Sequence, residues 1–162
     1  MNSGDLLVDW YWIVALVAGF LLLLAVVWRL ILGNLRRLAQ TTCDDVKAEL
    51  GEGNILLVEP AANCFGEKSR GPTQGRGNGC WALTREKIHF EYWVGRRIIE
   101  IPLHTVVGTR IAMGFLGKSR GIPLLVVTHR NDSGEDNECA WMFKDIETVQ
   151  SRLEGLVAEA RA

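Results

Sequence analysis

Residues 79–103, GCWALTREKIHFEYWVGRRIIEIPL, decide the fold. Within residues 87–93, Ile88, Phe90 and Tyr92 fall on one side while His89 and Glu91 fall on the other, which is the period of two that a half-buried strand requires. Trp81 and Leu83 alternate in the same way in residues 79–84, and Ile99 and Ile101 do so in residues 97–101. Thr84-Arg85-Glu86 reads as the loop of a first hairpin and Val94-Gly95-Arg96 as that of a second, with Pro102 ending or edging the third strand. By this alternation His89 lies away from the Phe90 side and is expected at the surface; Trp93, opposite Phe90, is expected to be exposed.

Working outward, residues 54–59 (NILLVE) form a short apolar run that Pro60 is expected to stop. On the other side, residues 105–112, 122–130 (IPLLVVTHR) and 137–143 (NECAWMF) read as three more strands, making seven in all. Beyond Lys144 the period changes. Asp145 is placed to cap a helix whose apolar stripe is Ile146, Val149, Leu153, Leu156, Val157 and Ala160, and Gly155 weakens that helix without breaking it. Such a stripe must cover something, and the open end of a curved sheet is the natural partner.

Seven antiparallel strands followed by one C-terminal helix is the element order of pleckstrin-homology (PH)-like barrels. Trp81-Ala82-Leu83-Thr84, Ile88-His89-Phe90, residues 97–103 (RIIEIPL), Ala140-Trp141 and the helix after Asp145 resemble bacterial PH-like and GRAM-like domains. Asn63-Cys64-Phe65-Gly66, residues 74–79 (QGRGNG), Leu116-Gly117-Lys118 and Pro123-Leu124-Leu125 are similar to an uncharacterised family of single-pass prokaryotic membrane proteins. The resemblance implies a mainly-β PH-like barrel over residues 54–162 and leaves activity open.

Toward the N-terminus the solvent changes. Residues 10–28, WYWIVALVAGFLLLLAVVW, carry no charge, and Leu30, Ile31 and Leu32 extend the run past Arg29. A helix crosses a hydrocarbon core of about 30 Å with about 20 apolar residues, so residues 10–32 are expected to be a transmembrane α-helix, with Trp10, Tyr11, Trp12 and Trp28 at the headgroup levels. A cleaved signal peptide would have a basic start and a shorter apolar core, whereas Asp5 and Asp9 precede this run. Arg29, Arg36 and Arg37 follow the span and no basic residue precedes it. The positive-inside rule then places residues 1–9 outside and the C-terminal domain on the cytoplasmic face of the cell (inner) membrane. Residues 33–53 read as a juxtamembrane helix and linker with Leu35, Leu38, Val46 and Leu50 on one face, ended by Gly51 and Gly53. Cys43, Cys64, Cys80 and Cys139 are widely spaced, as reduced cytosolic thiols are, and neither a disulfide nor a zinc site is expected.

Two loops suit anions. Residues 66–79 (GEKSRGPTQGRGNG) carry Lys68, Arg70 and Arg76 among glycines, and residues 114–121 (GFLGKSRG) carry Lys118 and Arg120; both contain Lys-Ser-Arg-Gly. Glycine lets backbone amides approach an anion, and the cations supply the opposing charge, so both loops are candidates for an anionic lipid headgroup. Solvated connections of this composition are common, and Arg76 is equally suited to folding inward onto Glu59 or Glu91. Neither loop completes a nucleotide-binding GxxxxGK[ST] arrangement. Trp93, Arg96 and Arg97 are candidates for contact with a protein partner. Asp132, Glu135, Asp136 and Glu138 read as a solvated turn, since Phe143 and Lys144 stand where a calcium loop needs its closing glutamate. With 18 basic and 19 acidic residues the charge is balanced, and no nucleic-acid partner, cofactor, metal or enzymatic constellation is expected. The expected function is a membrane-anchored binding or adaptor module. The alternative is a self-associating structural protein, a homo-oligomer packed through Ala15, Ala18 and Gly19.

Overall fold

A computed structural model describes residues 3–161, with side chains from Trp10 onward; Met1, Asn2 and Ala162 lie outside the described residues. The chain forms two compact units, one ending at Leu38 and the other beginning at Ala39. The first is helical and belongs to α1, Ser3–Leu50. Its segment from Trp10 is long and apolar enough to cross a membrane by length and composition, and the most apolar window is wholly exposed.

The second unit is built on a seven-stranded antiparallel sheet, β1 Ile55–Glu67, β2 Gly77–Thr84, β3 Lys87–Tyr92, β4 Ile98–Pro102, β5 Val106–Ala112, β6 Leu124–Arg130 and β7 Asp136–Met142, followed by α2 Ile146–Arg161. The strand order is β4-β3-β2-β1-β7-β6-β5, so the sheet is open, with β4 and β5 as its edges. It curves so that Trp81, Leu83, Ile88 and Phe90 from one half share a core with Leu125, Val127 and Trp141 from the other, and α2 adds Val149, Leu153 and Val157 to it. The alternation of residues 79–103 is the cause: residues i and i+2 of β2, β3 and β4 reach the same core.

Two sequence expectations are corrected. Pro60 does not stop β1, which runs 13 residues. The pairing with β2 instead shifts register between Glu59 and Ala62, and the missing N–H of Pro60 falls in that irregularity, where no ladder bond is lost. Residues 33–53, which the sequence reads as a juxtamembrane helix and linker without deciding whether it continues the span, are helical up to Leu50, and α1 is unbroken to that residue. From Ala39 it belongs to the domain, because Cys43 and Val46 are buried against Cys80 and Ala82 on the outward face of β2, with Leu50, Ile55 and Val58 packed around them. The second correction is that Cys43 and Cys80 are joined in a disulfide, with Cα atoms 5.4 Å apart and a separation of 37 residues, while Cys64 and Cys139 are free and buried.

The other half of the outward face is covered by the glycine-rich segment after β5. Phe115 is buried there with Phe65, Leu124, Val126 and Ala140. The cover is a two-residue turn, in which Phe115 and Lys118 exchange backbone hydrogen bonds of 2.8 and 2.9 Å. Leu116 and Gly117 both have positive φ, 50° and 73°, as that turn requires.

Asp145 caps α2 as the sequence predicts: its Oδ1 accepts from the Thr148 N–H at 3.1 Å and its Oδ2 from the Thr148 hydroxyl at 2.8 Å. These bonds hold the Asp145 carboxyl below its ordinary value of 3.8. A depressed carboxyl contributes stability above its unfolded pKa, and that contribution disappears as pH falls through the folded one. Asp145→Ala is therefore expected to lower Tm at neutral pH, with the gap to wild type closing in titrations taken below pH 3.8. A gap that stays constant on acidification would show that the cap is not the origin.

Candidate functional site

The two basic loops meet at one rim of the sheet. The first is laced by Gln74, whose amide NH2 donates to the carbonyls of Glu67 and Gly71 and whose Oε1 accepts the Glu67 N–H at 3.0 Å. Gly66, at φ +121°, is what leaves room for it: a Cβ there would lie 2.5 Å from the Gln74 side chain. Lys118 of the second loop reaches across and donates to the Gln74 carbonyl at 2.5 Å and the Phe65 carbonyl at 3.3 Å. Its ammonium thus ties one loop to the other.

The remaining candidates are held individually. Arg70 pairs with Glu67 at 2.8 Å and Lys68 approaches Glu138 at 3.9 Å. Arg76 stacks over the Phe65 ring at 5.2 Å, and that contact replaces the inward pairing with Glu59 or Glu91. Lys68 and Arg70 stay more than half exposed, at 59 and 57 %, and Arg120 is exposed as well. The geometry therefore sorts the five cations into Lys118, half-buried and tied between the loops, Arg76, exposed but laid over the Phe65 ring, and an outward set, Lys68, Arg70 and Arg120. A surface ion pair such as Lys68–Glu138 contributes about 0–1 kcal/mol, little enough for an anionic ligand to compete with it.

Trp93, Arg96 and Arg97 do not form one patch with these loops as free side chains. Trp93 is half-buried and its indole N–H donates to the Pro60 carbonyl at 3.0 Å, while Arg96 pairs with Asp45 at 3.0 Å. Arg97 pairs with Glu67 and lies over the Tyr92 ring at 5.3 Å. Glu67 thus receives both Arg70 and Arg97.

His89 is the residue that alternation misplaced. It does face away from Phe90, but it is fully buried, where the end of α1 packs on the outward face of β2 and brings Glu49 beside it. Its Nδ1 lies 3.0 Å from Glu100 Oε1, an oxygen that also accepts from Lys87 Nζ at 2.5 Å. These contacts hold the Glu100 carboxyl below the usual range, chiefly through Lys87. A groove of about 540 Å³ opens nearby, lined by Glu49, Leu50, Thr84, Glu86 and Lys87 among others. The sequence signal for this region was His89 and Glu91 two residues apart on one strand face; their cover, Glu49, is forty residues away and had no local mark.

No protein-family model and no curated protein matches this chain. Of solved structures, a chain of the 8S snRNP assembly intermediate aligns with 67 % of this chain and 82 % of its own length at 15 % identity and a TM-score of 0.47. The C-terminal domain of an unknown protein from Leishmania infantum aligns with 71 % of this chain and 96 % of its own length, at 11 % identity and a TM-score of 0.47. Likeness at this level identifies neither a family nor a function.

Proposed function

We propose that this protein is a membrane-anchored, non-enzymatic binding module, in which a PH-like domain contacts anionic lipid headgroups through Lys68, Arg70 and Arg120. The observation that carries the reading is the charge-free run from Trp10 to Trp28, whose side chains are exposed along its whole length, with Leu16 and Leu22 at 74 and 70 %. An apolar face of that extent is stable only against lipid or another apolar surface. Tethering raises the local concentration of the domain, so contacts too weak to hold a free protein are occupied. Arg96, exposed beside the half-buried Trp93 and Arg97, is the outward member of a second, protein-directed surface in this reading.

Each outward cation is expected to contribute about 1 kcal/mol toward an anionic surface, so Lys68→Ala, Arg70→Ala and Arg120→Ala together should weaken binding by roughly a hundredfold at low salt. The full chain in nanodiscs is presented with phosphatidylserine vesicles and with neutral phosphatidylcholine vesicles as control, and co-flotation is scored. Equal flotation of the triple variant and wild type would remove the headgroup.

Orientation has two readings, because two observations pull apart. The arginines after the span favour the cytoplasmic face. The Cys43–Cys80 disulfide favours an oxidising compartment, hence the opposite face. Cys64 and Cys139 are free in either orientation, so once the chain is denatured they alkylate regardless and serve as the internal control. When cells are quenched in acid, then denatured and alkylated at neutral pH without reductant, a cytoplasmic domain is expected to yield alkylated Cys43 and Cys80. A domain outside is expected to need reductant first.

A further inference from the structure

We propose that Glu49, His89 and Glu91 form a binding site for a divalent transition-metal ion, with Zn2+ or Mn2+ as the fitting class. One ligand atom from each of the three lies within 4.8 Å of the others, close enough for a single ion to replace their mutual separation with coordination bonds. Glu49 comes from the last turn of α1 and is exposed; His89 and Glu91 come from the outward face of β3 and are buried. All three belong to the unit that begins at Ala39.

The imidazole distinguishes this group from an ordinary acidic cluster. His89 is fully buried, and its Nε2 has no hydrogen-bond partner among the described residues. A buried polar atom left without a partner costs about 1–3 kcal/mol, so its persistence calls for an occupant. Glu100, ionised, can only accept, so His89 Nδ1 is the donor in the 3.0 Å contact between them. A neutral ring with its proton on Nδ1 carries a lone pair on Nε2. The carboxylate–histidine pair is the arrangement that orients a metal-bound imidazole and raises its basicity, and here Lys87 in turn fixes Glu100.

One imidazole nitrogen and two carboxylates suit a borderline cation better than Ca2+ or Mg2+, which prefer all-oxygen shells. Of the three, Glu49 is exposed and lines the groove, so the solvent side of the site is its side. Binding would join the end of α1 to β3, beside the covalent link that Cys43 and Cys80 already make to β2. It does not depend on lipid contact, which involves other residues.

The test uses the full-length protein in detergent, stripped with chelator and titrated calorimetrically with Zn2+ and with Mn2+, alongside thermal unfolding. Wild type should bind one equivalent of at least one of the two ions with a rise in Tm. Glu49→Gln, with its own metal-free Tm as the baseline, should weaken binding at least tenfold, and His89→Gln should abolish it. Glu52→Gln, an exposed glutamate outside the group, should bind as wild type. Undiminished binding by Glu49→Gln, or no saturable binding of either ion by wild type, would overturn the site whether or not His89→Gln folds.

Discussion

Gly79→Ala is expected to cost about 3 kcal/mol or more, a large fraction of the stability of an ordinary domain. Gly79 pairs with Tyr92 across β2 and β3, and a Cβ built on it would strike the Glu91 carbonyl oxygen and come within 2.5 Å of the Phe90 ring. Phe90 has nowhere to retreat, because its ring packs edge-on against Tyr92 at 4.8 Å and tilted against Trp141 at 6.1 Å. The obstacle on the other side is backbone, which moves only if the β2–β3 ladder opens. Gly75→Ala is the control, since no atom lies within 4 Å of the corresponding Cβ. Urea unfolding of both variants measures the difference. Equal midpoints would mean that β2 and β3 do not pair in this register.

Trp81→Ala is expected to cost about 4 kcal/mol. The side chain is fully buried at the centre of the main core, with the Phe143 ring edge-on at 5.1 Å. Its removal leaves a cavity between the sheet and α2 that the strands cannot collapse into without breaking register. Trp81→Phe separates volume from polarity. The indole Nε1 is buried without a partner among the described residues, so phenylalanine forfeits no hydrogen bond there and should lose clearly less stability than alanine. A phenylalanine variant as unstable as the alanine one would place an unseen acceptor at Nε1.

The sheet and α2 were legible because each has a local period: two in β2, β3 and β4, and the helical stripe behind Asp145 in α2. What escaped were contacts between distant segments. In the sequence, residues 33–53 read as a juxtamembrane helix and linker with no local mark of what their apolar face meets, and alternation alone puts His89 at the surface. Cys43 and Val46, one helical turn apart, in fact bury Cys80 and Ala82. The disulfide had no short motif to announce it across 37 residues. Pro60 misled for the opposite reason, since a local rule about ladder bonds was applied where the ladder itself is irregular. In the basic loops composition marked the right region, but it could not sort Lys118, which clamps the loops together, from Lys68 and Arg70, which face solvent.

Membrane anchoring through the apolar part of α1 is the claim on which the tethered-module reading rests. Membranes from cells making the full chain are washed with alkaline carbonate, beside a variant carrying Val17→Lys, Leu21→Lys and Leu24→Lys. The account predicts that wild type stays in the pellet and is released only by detergent, while the triple-lysine chain passes to the supernatant. Wild-type protein recovered in the carbonate supernatant would contradict it.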